Sequence, residues 1–149
     1  MSPDIAGETH FLANETELHM LAKKLAAVIQ PGAIVFLEGQ LGAGKTTFVR
    51  HFLQALGYTG KVKSPTYAVV ETHTVGHQIV HHFDWYRLST AEALEDMGFR
   101  DYIDGKAICF IEWPSQVPHF ITNPDWVLSL SLIPEKPMAR SVRCMPAIL

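Results

Sequence analysis

Hydrophobic and polar positions change period several times along the chain, and each change predicts an element. Leu18, Leu21, Ala22, Leu25, Val28 and Ile29 follow the i, i+3, i+4, i+7 spacing of one buried helical face. Asn14 stands where this helix needs a cap, Glu17 supplies the second half of a capping box, and Pro31-Gly32 ends it. Ala33 to Leu37 is then apolar without a break, the signature of a strand covered on both faces. A glycine-rich stretch leads directly into a second helix from about Lys45 to Leu56, stopped by Gly57.

The middle of the chain has a different rhythm. Tyr67 to Thr72 and Gln78 to Phe83 read as two strands joined near Val75-Gly76-His77 in a hairpin. Ser89, with Glu92 behind it, marks the start of a short helix that Gly98 ends. Ala107 to Ile111 reads as another buried strand. Trp126 to Ile133 alternates, with Ser129 and Ser131 on a wet face; Pro134 to Pro137 is a turn, and Ser141 to Met145 a last strand at a sheet edge. The order implies an α/β fold: one P-loop-type domain over residues 1–149, with a mixed, mostly parallel central sheet, a β-hairpin and helices on both sides.

Composition changes this picture little. With 149 residues, 48% hydrophobic and 18% charged, the chain can bury a core of ordinary domain size. A net charge of −3 without a massed basic face argues against a direct grip on nucleic acid. The two cysteines, Cys109 and Cys144, make neither a disulfide framework nor a zinc cluster, and Cys109 reads as a buried small hydrophobe. Asp4 and Glu8 stand where a leader would carry a basic flank and an apolar core, and no run reaches the ~18 apolar residues of a membrane span. The expectation is a soluble, cytoplasmic chain.

The chemistry is concentrated in Gly39-Gln40-Leu41-Gly42-Ala43-Gly44-Lys45-Thr46, which fits G-x-x-x-x-G-K-[ST] at every defined position. Glycines let the backbone wrap so that several N–H groups converge on phosphate oxygens, which the loop delivers to a helix N-terminus. Lys45 would reach the β- and γ-phosphates, and the Thr46 hydroxyl would ligate Mg²⁺. The motif lies between a buried strand and a helix, the setting it requires.

Such a site needs an acid at the end of a neighbouring strand. Asp84, after Ile79 to Phe83, and Glu112, after Ile108 to Ile111, both qualify, one for the metal and one for the attacking water. Ser64-Pro65-Thr66-Tyr67 reads in two ways, as a loop whose hydroxyl would sense the γ-phosphate or as a plain turn before a strand. His81 and His82 are adjacent on a strand and face opposite ways, so a shared ion is disfavoured and both are read as structural. Phe83 is expected in the core, and Trp85 or Tyr86, if exposed, would anchor a partner.

No N-K-x-D guanine motif occurs, and the five arginines (Arg50, Arg87, Arg100, Arg140 and Arg143) are dispersed rather than gathered in a kinase lid. ATP and hydrolysis are therefore preferred. A small-molecule kinase and a non-hydrolysing nucleotide-gated binding module are the alternatives.

Five ordered motifs resemble the TsaE (YjeE) family, small P-loop ATPases of bacterial threonylcarbamoyladenosine (t6A) tRNA modification. They are Leu41 to Thr47, Val62 to Tyr67, His82 to Leu88, Glu95 to Gly98 and Ile111 to Pro114, and the resemblance runs from about Asn14 to Arg140. It implies an ATPase, weak alone, that acts with TsaB and TsaD, meets tRNA only through that complex and resets it between turnovers. Carried over by matching residue, Lys45, Asp84 and Glu112 would be catalytic, and Thr46 and Glu112 would hold Mg²⁺. Asn14, Gly39, Gly42, Ala43, Gly44, Lys45, Thr46, Thr47 and Arg140 would bind the nucleotide. Trp85 departs from the family pattern, where an aliphatic residue is expected.

Overall fold

The computed structural model describes residues 7–147. Asp4, whose charge counts against a leader, lies outside the described residues. The elements in chain order are β1 (Thr9–Leu12), α1 (Glu15–Val28), β2 (Ile34–Glu38), α2 (Lys45–Leu56), β3 (Val70–Val75) and β4 (Gln78–Asp84). They continue with α3 (Ala91–Asp96), α4 (Phe99–Tyr102), β5 (Ile108–Glu112), a 3-10 turn at Pro114–Gln116, β6 (Trp126–Ile133) and β7 (Lys136–Pro146).

The strands form one seven-stranded sheet in the order β1-β7-β6-β2-β5-β4-β3. Its centre, β6-β2-β5-β4, is parallel, while β3 pairs antiparallel with β4, β7 with β6 and β1 with β7. The mixed, mostly parallel sheet flanked by helices is the architecture the hydrophobic pattern implies.

Alternation along the central strands builds two cores. Val35, Leu37, Val80, Ile108 and Phe110 pack with Leu21, Leu25, Phe48 and Phe52 of α1 and α2. The opposite face of the sheet presents Phe83, Cys109 and Ile111 to Leu94, Phe99 and Val117. Because side chains alternate, Glu112 falls on the same face as Ile108 and Phe110, beneath α2. Asp84 and Glu112 are register partners at the carboxyl ends of adjacent parallel strands, where open α/β sheets hold their ligands.

The structure corrects several local expectations. Ser141 to Met145 is not at an edge: β7 starts at Lys136 and lies between β6 and β1, because the unforeseen strand Thr9–Leu12 adds outside it. Tyr67 does not begin a strand; Pro65 to Ala68 form a turn closed by Val69 N–H donating to Pro65 O at 2.7 Å, and β3 starts at Val70. The cap of α3 is Thr90 rather than Ser89, its hydroxyl accepting from Ala93 N–H at 3.1 Å. Trp85 is fully buried beside Phe99 and Phe120 and presents nothing to a partner, whereas Tyr86 is 42% exposed. Cys109 and Cys144 are buried, and burial pushes both thiols up to about 12. Among the described residues no helix is long and apolar enough to cross a membrane.

Candidate active site

The loop between β2 and α2 has a backbone that only glycine tolerates well. Gly39 has φ +149, and a Cβ there would stand 2.5 Å from the carbonyl oxygen of Leu130 in β6. Gly44, at φ +103, turns the chain into α2 with no side-chain cap, so the first N–H groups of that helix are left for a ligand. Arg140 braces the loop from β7: Nε donates to Ala43 O at 3.0 Å and Nη2 to Gly42 O at 3.2 Å.

Lys45 is 5% exposed and folded back on the loop. Its ammonium donates to the carbonyl oxygens of Gly39 and Gln40 and lies 3.9 Å from the centroid of the Trp113 ring. Burial lowers its pKa from the ordinary lysine value, and the carboxylates of Glu112 and Asp84 oppose that shift. Trp113 itself holds a left-handed backbone, φ +59, immediately after β5. Nothing in the hydrophobic pattern singled out Trp113, whose position follows from that turn and not from a repeating period.

The helix start and the strand ends converge on one carboxylate. Thr46 Oγ1 donates to Glu112 Oε2 at 2.9 Å, and His82 Nε2 lies 2.5 Å from the same oxygen. Asp84 is 7% exposed; its Oδ1 accepts from Tyr86 N–H at 2.9 Å and its Oδ2 from Thr66 Oγ1 at 3.4 Å. Ser64 Oγ in turn lies 2.7 Å from Thr66 Oγ1, so the turn before β3 is tied to Asp84 through a hydroxyl pair. His81 and His82 do face opposite ways: His81 meets Thr72 and the ring of Tyr102, and His82 points to Glu112.

Asn14, Thr47 and Arg140 come together with Gly44 around a cavity of about 160 Å³ beside the loop. Asn14 already has a structural duty there, since its Oδ1 accepts from Glu17 N–H at 3.0 Å and caps α1. Thr46, Glu112 and Asp84 offer only oxygen donors, which suit a hard cation such as Mg²⁺. Among the described residues no group of three or more His, Cys, Asp or Glu side chains gathers to hold a metal unaided.

Residues 12–142 match the family model described as "Threonylcarbamoyl adenosine biosynthesis protein TsaE". The Haemophilus influenzae tRNA threonylcarbamoyladenosine biosynthesis protein TsaE is 38% identical over 127 residues, covering 82% of this chain and 80% of that protein. The Bacillus subtilis protein of the same name is 40% identical over 100 residues, covering 67% of this chain and 62% of that protein. The crystal structure of Bacillus subtilis YdiB superposes with a TM-score of 0.75 at 27% identity, covering 91% of this chain and 82% of that one. With that match spanning the phosphate loop, both acidic strand ends and Arg140, the chain belongs to the TsaE family.

Proposed function

We infer that this chain takes part in tRNA threonylcarbamoyladenosine biosynthesis as an Mg²⁺-dependent ATPase, acting with TsaB and TsaD to reset their complex between turnovers. It would meet tRNA only through that complex. The observation that carries the reading is the convergence of Lys45, Thr46, Asp84 and Glu112 at the mouth of one glycine loop, although Thr46 and Glu112 are 66 residues apart in sequence.

Each group has a distinct task. The loop amides and the start of α2 bind the phosphate tail, and Lys45 leaves its carbonyl contacts to meet the β- and γ-phosphates. Thr46 and Glu112 hold Mg²⁺, which when bound neutralises charge on the phosphates. Asp84, fixed by the Tyr86 N–H and by Thr66, orients the attacking water. Asn14, Thr47 and Arg140 border the space beside the loop into which the rest of the nucleotide extends. A single small domain leaves the phosphates open to solvent, so turnover is slow until a partner covers them.

Calorimetric ATP binding with and without Mg²⁺, paired with phosphate release with and without a TsaB–TsaD pair, tests this. Lys45→Ala should abolish measurable binding. Glu112→Ala and Asp84→Ala should keep the affinity for ATP without Mg²⁺ within a few-fold and lose about 100-fold in turnover. Equal loss of affinity in all three variants, or no stimulation by the pair, would overturn the assignment.

A further inference from the structure

One buried polar side chain beside the site has no task in the mechanism above. His82 lies on β4 between Val80 and Asp84 on the face beneath α2, and it is wholly buried. Its Nε2 lies 2.5 Å from Glu112 Oε2. A carboxylate only accepts, so the proton of this contact belongs to the imidazole, on Nε2. The other ring nitrogen, Nδ1, is buried without a hydrogen-bond partner. An apolar residue would fill the same space without stranding that atom, so packing does not account for a histidine here.

Two donors share Glu112 Oε2, the Thr46 hydroxyl at 2.9 Å and His82, and they are not equivalent. Thr46 opens α2 and faces the phosphate site, so its hydroxyl is drawn toward a ligand. His82 is sealed in the sheet on the strand next to β5 and has no second use for Nε2. Among the described residues neither donor takes Oε1. We propose that His82 is a positioning residue: its Nε2–H anchors Oε2 and so presents the Glu112 carboxylate at a fixed angle to a divalent cation carried in on phosphate.

This rests on the ATPase reading for its kinetic consequence but not for the hydrogen bond itself, so two measurements are paired. In ¹⁵N-histidine-labelled protein without nucleotide, His82 should show a protected, downfield Nε2–H resonance. That resonance should move upfield or vanish in Glu112→Ala and persist in His73→Leu. An unprotonated Nε2, or a signal indifferent to Glu112→Ala, would overturn the proposal whatever the protein does with ATP.

In the kinetic arm, His82→Phe keeps the ring and removes the donor, whereas His82→Gln returns an amide N–H at similar reach. His82→Phe should bind ATP in EDTA as the wild type does, with turnover and Mg²⁺ affinity down about 10- to 100-fold. His82→Gln should recover most of both. Equal losses in the two variants, or full turnover in His82→Phe, would also overturn it. Failure of the wild type to bind Mg²⁺ and ATP would sink the ATPase reading and leave the resonance experiment to decide the role of His82. Should His82→Phe not fold, His82→Gln and the resonance decide.

Discussion

His73 shows how a single side chain can make this fold sensitive to acid. It is 5% exposed on β3, packed at right angles to the Tyr58 ring, and its Nε2 is buried without a partner. Burial first, and then the nearby His82, hold its pKa below the ordinary 6.5; Glu71 pulls the other way. The unfolded chain therefore binds a proton more readily than the folded one. Stability is present above the unfolded value and is lost as pH falls through it toward the folded value. A urea midpoint followed from pH 7.5 to 5.5 should fall in the wild type, and His73→Leu should flatten the curve by at most about 1.4 kcal/mol per pH unit. An unchanged slope would assign the acid sensitivity to other groups.

Among the elements, α1 joins stability to the site through one residue. Asn14 caps the helix and lines the cavity with Thr47 and Arg140. Asn14→Ala should cost about 1 kcal/mol of stability. Asn14→Ser keeps a capping oxygen but withdraws the amide from the cavity, so stability should hold while nucleotide affinity falls about threefold or more. Thermal melting beside calorimetry separates the two duties, and an unchanged affinity in both variants would leave Asn14 as a cap alone.

Elements of this kind were readable in the sequence because their rules are local. A cap, a 3.6-residue period, an unbroken apolar run and a glycine loop are all written within a dozen residues. The placement of Glu112 and Asp84 on the α2 face also follows from strand alternation once the strands are known. Three features were not readable. Thr9–Leu12 is half-exposed and holds its place by pairing with Thr9↔Arg143 to Leu12↔Arg140, a match made across the whole chain. The contact of His82 with Glu112 depends on β4 lying beside β5, which the chain order does not reveal. The seat of Lys45 against Trp113 depends on a left-handed turn that an aromatic residue rarely adopts.

For the whole molecule, the two cores share one sheet and should melt as one. Cys109 lies in the core beneath α3 and α4, Cys144 in the core beneath α1 and α2. Both thiols are held up at about 12, so neither should react with a disulfide reagent at pH 8 in the native protein. β5 sends Ile108 and Phe110 to one core and Cys109 and Ile111 to the other, which couples them residue by residue. In each single-thiol variant, Cys109→Ser or Cys144→Ser, the remaining cysteine should therefore become exposed at the urea concentration where that same variant loses its far-UV circular dichroism. Separated midpoints would show that the halves open independently.

The pairing of Leu12 with Arg140 also sets a timetable for biosynthesis. A ribosome releases the phosphate loop and both acidic strand ends well before it releases Arg140, the residue that grips the carbonyls of Gly42 and Ala43. A nascent chain can thus assemble the sheet centre around β2 and β5 while the cavity beside the loop still lacks a wall.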